Sequence, residues 1–199
     1  FVQRFAANGN AALHVAGIES PQEVMDIVNR DGVDVNEQNF NDETPLHWAC
    51  QSYNTEMLLI LLNCGADITM CDKDGNTPLH WAAQENNLRA VEILVAVGAT
   101  VDAENDEFET PIELACENGS LEVVQYLFPF CKETSDLLHL ACQYNQPEIL
   151  TFLISTGKYK NPGHTDPQWV DTCSVWYTAQ CCKAKDCIMV LSDWTSDKS

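Results

Sequence analysis

Residues Thr44-Pro-Leu-His-Trp-Ala49 and Thr77-Pro-Leu-His-Trp-Ala82 carry the same six-residue motif, 33 positions apart. Related motifs stand one such step before and one such step after this pair, at Asn10-Ala-Ala-Leu-His-Val-Ala16 and Thr110-Pro-Ile-Glu-Leu-Ala115. A second mark outside the motif keeps the same step, at Gly32, Gly65 and Gly98. Because two unrelated residue types share one period, the chain is predicted to be a tandem repeat.

Each repeat predicts two helices and a connecting finger. Threonine caps a helix by accepting hydrogen bonds from backbone N–H groups, and proline suits the first helical position because it has no N–H. A second, apolar helix follows, as in Met57-Leu-Leu-Ile-Leu-Leu62, and Gly65 ends it in the left-handed conformation. The polar stretch 68–76 predicts an extended finger with a tight turn at Asp74-Gly75.

The motif and its spacing resemble the ankyrin repeat, whose unit has about 33 residues and a Thr-Pro-Leu-His-x-Ala motif. The resemblance implies an all-α solenoid of helix-turn-helix units with β-hairpin fingers, five to six repeats long and irregular at its C-terminal end. We expect regular repeats 1–4 within residues 1–130. A shortened fifth and a degenerate sixth repeat are expected within residues 131–199 of the same solenoid.

The irregularity is visible in the spacing. The fifth motif, Asp136-Leu-Leu-His-Leu-Ala141, and the following Gly157 both come seven residues early. One deletion around residues 129–134 explains both shifts and predicts a break in the regular stack. The sixth motif, at 173–179, follows a loop about four residues longer than usual, as judged against the family's repeat length.

Charge excludes several classes of partner. The chain has 30 Asp and Glu residues against 10 Lys and Arg, a formal net charge of −20. Nucleic-acid binding depends on Lys and Arg, so no nucleic-acid partner is expected.

The longest apolar run, Met57 to Leu62, is far shorter than the ~20 residues that cross a bilayer, so no direct membrane insertion is expected. Residues 1–10 lack a signal-peptide pattern, which favours a cytoplasmic location, with the nucleus as the alternative.

The recurring histidines, tryptophans and cysteines of the motif are predicted to be structural. The resemblance implies that His14, His47, His80 and His139 hydrogen-bond the turn and the neighbouring repeat, while Glu113 replaces this histidine in the fourth motif. Trp48 and Trp81 are predicted to pack between repeats. Cys50, Cys116 and Cys142 share one position, where a small residue is needed and free cysteine acts as a small hydrophobe.

The C-terminal cysteines leave alternatives open. Cys173, Cys181, Cys182 and Cys187 lie close together in the sequence, with His164 upstream. Structural zinc sites usually contain pairs of ligands two to four residues apart, a spacing that these residues fit poorly. A metal site, a redox or disulfide site and ordinary free thiols remain as interpretations. We expect no cofactor and no metal.

The sequence predicts a protein that is not an enzyme. It contains no glycine-rich phosphate loop, no Gly-x-Ser-x-Gly elbow and no His-Glu-x-x-His motif. The expected function is a non-catalytic protein-protein interaction module, a scaffold or adaptor. The alternatives are a targeting or regulatory domain of a larger enzyme, and a remodelled C-terminal thiol or metal site.

The resemblance places binding on the finger tips and on the exposed end of each first helix. These positions are Phe40, Asn41, Glu43, Ser52, Tyr53, Lys73, Asp74, Asn76, Glu85, Asn86, Asp106, Glu107, Phe108, Glu109, Asn118 and Tyr144. We take them to be free to vary because the fold does not need them.

The partner is predicted from charge. Residues 102–122 contain eight acidic residues and no Lys or Arg, which favours docking of a Lys/Arg-rich segment of another protein. Aromatic residues are enriched at binding hot spots, so Phe40, Tyr53, Phe108 and Tyr144 are candidate anchors. The alternative is an acidic face that is only solvated. A monomer is favoured.

One modification is also implied by the resemblance. Asparaginyl hydroxylases act on ankyrin fingers at an asparagine that follows an acidic residue and Val or Ile. Asp34-Val35-Asn36 matches this pattern, so Asn36 is the candidate site.

Overall fold

The structure is a computed structural model that describes residues 13–14, 21–28, 33–132, 136–159, 175 and 178–196. The chain forms two compact units, residues 1–111 and 112–199. The sequence-based boundary at residue 130 between regular and irregular repeats stays a prediction.

The first unit consists of paired helices. Its described helices are α1 (Pro21–Val28), α2 (Pro45–Gln51), α3 (Thr55–Asn63), α4 (Pro78–Gln84) and α5 (Leu88–Ala96). The first helices α2 and α4 pack against the second helices α3 and α5 of their own repeats. Helix α2 also packs on α4, α3 on α5, and α1 on α3, so each repeat covers the apolar side of the next.

Local chemistry sets where these helices begin. Thr44 and His47 form a capping box before Pro45 at the first helical position, and the next repeat does the same. The second helices are capped by Asn54 and Asn87, whose side-chain oxygens each accept a backbone N–H at 3.1 Å. The threonine caps were predicted from the motif, whereas the asparagine caps were not.

The core follows the predicted apolar positions. Leu46 and Leu79, at the centre of the motif, are 0% and 1% exposed, which confirms them as core residues. The second helices end at Gly65 and Gly98, whose φ angles are 88° and 98°. The expected left-handed glycine caps are therefore present in this unit.

The second unit contains α6 (Pro111–Glu117, all but its first residue), α7 (Leu121–Leu127), α8 (Leu137–Gln143), α9 (Pro147–Ser155) and α10 (Lys185–Ser196). Helix α9 packs on α7, α8 and α10. The segment between α7 and α8 is shorter than the one between α3 and α4. The shortening lies where the deletion was expected, and residues 133–135 of it fall outside the described ranges.

The sixth repeat is offset by one residue from the sequence-based alignment. In the fifth repeat the N–H of Gln146 donates to the carbonyl of Ala141, and in the sixth the N–H of Ala184 donates to the carbonyl of Ala179. These two equivalent bonds are separated by five residues more than the regular repeat step of 33. The step from the fifth to the sixth repeat is thus five residues longer than the regular one, and not four, and residues 160–174 of the intervening loop lie outside the described ranges. Cys187 consequently occupies the position that Ala90 has in the third repeat.

The polar segments between the helices of the first unit form tight turns and not the implied β-hairpins. No residue in the described ranges belongs to a strand. Each turn is closed by one backbone hydrogen bond of 3.0 Å from its first N–H to its last carbonyl. We call residues 39–43, 72–76 and 105–109 the finger turns. Within the described part of the chain, no helix is long and apolar enough to cross a membrane.

Candidate protein-binding surface

Each finger turn is built by one polar residue that the sequence analysis did not single out. In the first turn, Oδ1 of Asn39 accepts hydrogen bonds from the N–H groups of Asn41 at 2.9 Å and Glu43 at 3.1 Å. Asp72 and Asn105 repeat this pattern at 2.8 to 3.0 Å. Such side chains accept hydrogen bonds from the backbone N–H groups of their own turn. The turn therefore needs no hydrogen bonds from a neighbouring strand. The sequence did contain a signal for these three residues, because Asn39, Asp72 and Asn105 are spaced by the repeat step of 33 residues.

Neighbouring finger turns are joined through their backbones. The N–H of Lys73 donates to the carbonyl of Asn41, and that of Asp106 donates to the carbonyl of Asp74, both at 3.0 Å. At Gly75 a Cβ atom would lie 2.7 Å from the backbone nitrogen of Asp106, so only glycine permits this close approach. The three turns therefore form one continuous edge of the first unit.

The motif histidines attach the first helices to this edge. Nδ1 of His47 accepts the N–H of Thr44 at 3.1 Å, so Nε2 carries the proton and donates to the carbonyl of Asn76 at 3.0 Å. His14 and His80 make the same contact at 2.8 and 3.1 Å, also 29 residues along the chain. Burial lowers the pKa of His47 and of His80, which keeps both rings neutral. The predicted link to the neighbouring repeat is confirmed for these three histidines, and for His139 it stays a prediction.

Some predicted binding residues also hold the turns together, which corrects the premise that the fold does not need them. The carboxylate of Glu43 accepts the indole N–H of Trp48 at 2.8 Å. The amide of Asn105 donates to Oδ1 of Asn76 at 3.0 Å and to Oε2 of Glu109 at 3.1 Å. Trp48 is half-buried. Its ring packs against His14, and its indole N–H lies at the finger turn, where it donates to Glu43.

Three predicted anchors project from the first unit. Phe40 is 66% exposed, Tyr53 58% and Phe108 80%. Tyr53 and Phe108 have φ angles of 56° and 63°, a conformation that is costly for bulky residues. The hydroxyl of Tyr53 donates to the carbonyl of Glu85. Asn86, at the Tyr53 position in the next repeat, is also left-handed, so the turn needs the conformation but not the aromatic ring.

The other predicted residues of the first unit lie at the surface. They are exposed or half-buried at Asn41, Ser52, Lys73, Asp74, Glu85, Asn86, Asp106 and Glu107. Between residues 33 and 111 there are 15 acidic side chains against Lys73 and Arg89. Arg89 lies on α5, where it pairs with Glu92 at 2.9 Å. Lys73 is therefore left as the one basic residue in the finger turns.

Two predicted residues belong to the second unit. Asn118 is exposed and its amide donates to the carbonyl of Leu114 at 2.9 Å, and Tyr144 is 42% exposed just after α8. The acidic run is divided between the units, since five of its eight acids precede residue 112. The structure thus joins the finger-turn candidates within the first unit, and these two residues belong to the second.

Asn36, the candidate modification site, is half-buried beside the next repeat. Its N–H donates to Asp34 at 2.9 Å, and its Oδ1 accepts the N–H of Asp67 at 2.8 Å. Hydroxylation stays a prediction, and the contact with Asp67 means that the side chain must turn away before an enzyme can reach it.

The cysteines of the described residues are all free thiols. Cys50, Cys116, Cys142 and Cys187 are each 0% exposed, whereas Cys181 and Cys182 are exposed. In the part of the chain that the structure describes, no three His, Cys, Asp or Glu side chains are placed to hold a metal ion. Cys173 and His164, which belong to the open metal interpretation, lie outside that part.

Comparison with known proteins agrees with this architecture. A family model described as ankyrin repeats (3 copies) matches residues 13–105 and 98–166. Among solved structures, the human ASB11 ankyrin repeat domain superposes with a TM-score of 0.78 at 24% sequence identity. The match covers 93% of this chain and 84% of that one, and at this identity it shows the fold alone. No curated protein sequence matches this chain.

Proposed function

Since this chain belongs to the ankyrin-repeat family, we propose that it is a non-catalytic scaffold or adaptor that binds another protein at its finger turns. Ankyrin repeats generally mediate protein-protein interactions. One observation carries the proposal to this surface: the motif side chains are bonded inside the repeats, whereas the turn tips present charged and aromatic groups that differ from repeat to repeat. Variable groups on a regular scaffold are how repeat proteins distinguish partners.

The charge of this edge supports a Lys/Arg-rich partner. Asp42, Asp74, Asp106 and Glu107 are all exposed on the finger turns, and only Lys73 opposes them. A surface of one sign attracts and orients a partner of opposite sign during diffusion. Carboxylates also accept paired hydrogen bonds from arginine.

The exposed aromatic rings supply the apolar part of the contact. Phe40 and Phe108 stand on finger turns, and their burial would add hydrophobic free energy that charge alone does not provide. An arginine of the partner can also stack on such a ring. The proposed partner segment therefore combines Lys or Arg with apolar residues.

Differential affinity capture tests the proposal. Wild-type protein and a variant with Glu104→Lys, Asp106→Lys and Glu107→Lys are used as baits in parallel. These three side chains are exposed, and the turn's hydrogen bonds use only the backbone of Asp106 and Glu107. Proteins with basic segments should be captured by wild type and lost with the variant. An identical capture profile for both baits would count against this surface.

A further inference from the structure

Two buried thiols of the second unit lie against one another. Cys142 is on α8 and Cys187 on α10, and both are 0% exposed. The sulfur of Cys187 is 3.4 Å from the carbonyl oxygen of Ala141, the residue before Cys142. Cys142 directly follows that residue on α8, so the two buried thiols are neighbours in the core of the second unit. Helix α10 thereby reaches α8, from which it is distant in the sequence, through the thiol of Cys187.

Packing alone does not require a thiol at either position. In the third repeat, alanine occupies both equivalent positions, Ala83 for Cys142 and Ala90 for Cys187, and both alanines are buried. A third thiol, Cys116 on α6, is nearby in the same unit and donates to the carbonyl of Leu137 at 3.7 Å. The three thiols are not placed to hold a metal within the described residues.

We propose that Cys142 and Cys187 are a redox-active pair, which hydrogen peroxide oxidises to a disulfide that joins α8 to α10. The sulfur of Cys187 first attacks peroxide to give a sulfenic acid and releases one water. The thiol of Cys142 then displaces the sulfenic hydroxyl as a second water and forms the S–S bond. Two thiols lose two electrons and two protons, and one peroxide is reduced to two waters.

The interaction between the two thiol side chains assigns their roles. It lowers the pKa of Cys187 and raises the pKa of Cys142. The thiolate is the reactive form of cysteine, so Cys187 is the residue that attacks and Cys142 the one that resolves. Cys50 provides the contrast, since it is buried at the Cys142 position of another repeat and burial alone raises its pKa.

Burial makes the reaction depend on motion of α10. Both sulfurs are shielded in the closed structure, so peroxide reaches them when the terminal helix opens locally. The disulfide then holds α10 against α8 and restricts further opening. Oxidation is thus expected to stabilise the C-terminal repeats in a way that a thiol reductant reverses.

The test uses the full chain treated with hydrogen peroxide, blocked with N-ethylmaleimide, unfolded and mapped by mass spectrometry. The expected product is a Cys142–Cys187 linked peptide that has lost two hydrogens, with a thermal midpoint above that of the reduced protein. Dithiothreitol should restore the original midpoint. Cys142→Ala and Cys187→Ala should each abolish both effects, and both put in place a residue that the third repeat already uses.

Cys50→Ala is the matched control, because it removes an equally buried thiol at the same repeat position. This variant should form the linked peptide as wild type does. The proposal is overturned if Cys142 and Cys187 are recovered as alkylated thiols under conditions that oxidise the exposed Cys64. It is equally overturned if the dominant link joins Cys116 or Cys181 to another residue.

Discussion

The imidazole of His47 donates a hydrogen bond of 3.0 Å to the backbone carbonyl of Asn76, in the finger turn of the next repeat. His14 and His80 make the same bond to Glu43 and Glu109. The His47 and His80 rings are thus fixed at one end by their own helix start and at the other by the following repeat. The repeat period is enforced by these side chains as well as by apolar packing.

Lower pH is expected to destabilise the first unit through these histidines. Burial lowers the folded-state pKa of His47 and His80 below the unfolded value of about 6.5. The unfolded state therefore binds more protons, so this stabilisation is complete above about pH 6.5 and is lost as pH falls toward the folded value. Thermal midpoints measured at a series of pH values below about 6.5 should therefore decrease as the pH is lowered. A His47→Gln/His80→Gln variant should give a flatter profile, and an unchanged slope would contradict the assignment.

Gly75→Ala should destabilise the protein more than Gly98→Ala. Both glycines have positive φ, but an added Cβ at Gly75 meets the backbone of Asp106 at 2.7 Å, while nothing lies within 4 Å at Gly98. Gly98→Ala should cost about 1 kcal/mol for its backbone conformation, and Gly75→Ala roughly 2–4 kcal/mol because the joined turns must move apart. Urea unfolding of both variants gives the comparison. Equal losses would mean that the finger turns are not held together as described.

Phe108→Asn should stabilise the fold while weakening partner binding. Phe108 is 80% exposed at a φ of 63°, and asparagine tolerates this conformation better than phenylalanine. We expect urea unfolding to show a gain of about 0.5–1 kcal/mol in the free energy of unfolding. Binding should lose roughly 1–2 kcal/mol if the ring is an anchor.

Phe40→Asn is the matched control for that variant. Phe40 is exposed on an equivalent turn but does not have a positive φ, so its replacement should not stabilise the fold. A gain in stability from both variants would show that lost exposed apolar surface, and not relief of backbone strain, is responsible.

Much of the fold could be predicted because the same signals recur in successive repeats. The spacing of Leu46 and Leu79 located the core, and Thr44 with Pro45 located a helix start. The turn-building residues Asn39 and Asp72 were missed, since Asp and Asn are also common on any solvated surface and only their identical spacing marks them.

The candidate site was harder to predict than the fold. Glu43 and Glu109 were chosen as free surface groups, yet their carboxylates bond Trp48 and Asn105. Sequence position shows that a side chain stands at a turn, but not whether its oxygen faces a partner or a neighbouring donor. The left-handed conformation of Tyr53 was likewise hidden, because aromatic residues rarely occupy it.

The C-terminal repeats are expected to open first. The segment between α7 and α8 is shortened by the deletion, and Glu113 stands where the earlier motifs have the linking histidine. Weaker nearest-neighbour coupling lowers the stability of repeat units. Hydrogen exchange should show residues 131–199 losing protection before residues 40–125, whereas uniform protection would contradict this order.

The central claim is that the acidic finger turns bind a Lys/Arg-rich partner, and association kinetics over a salt series test it most directly. The captured partner is measured against wild type, the Glu104→Lys/Asp106→Lys/Glu107→Lys variant, and a control with Asp136→Lys, Glu148→Lys and Asp193→Lys. The control reverses exposed acids of the second unit and changes the net charge equally. We predict that wild-type association slows as salt rises beyond ~0.15 M, where screening acts over about 8 Å. The finger-turn variant should associate about tenfold or more slowly at low salt, and the control should stay close to wild type. Rates that are insensitive to salt, or equal for the two variants, would contradict the claim.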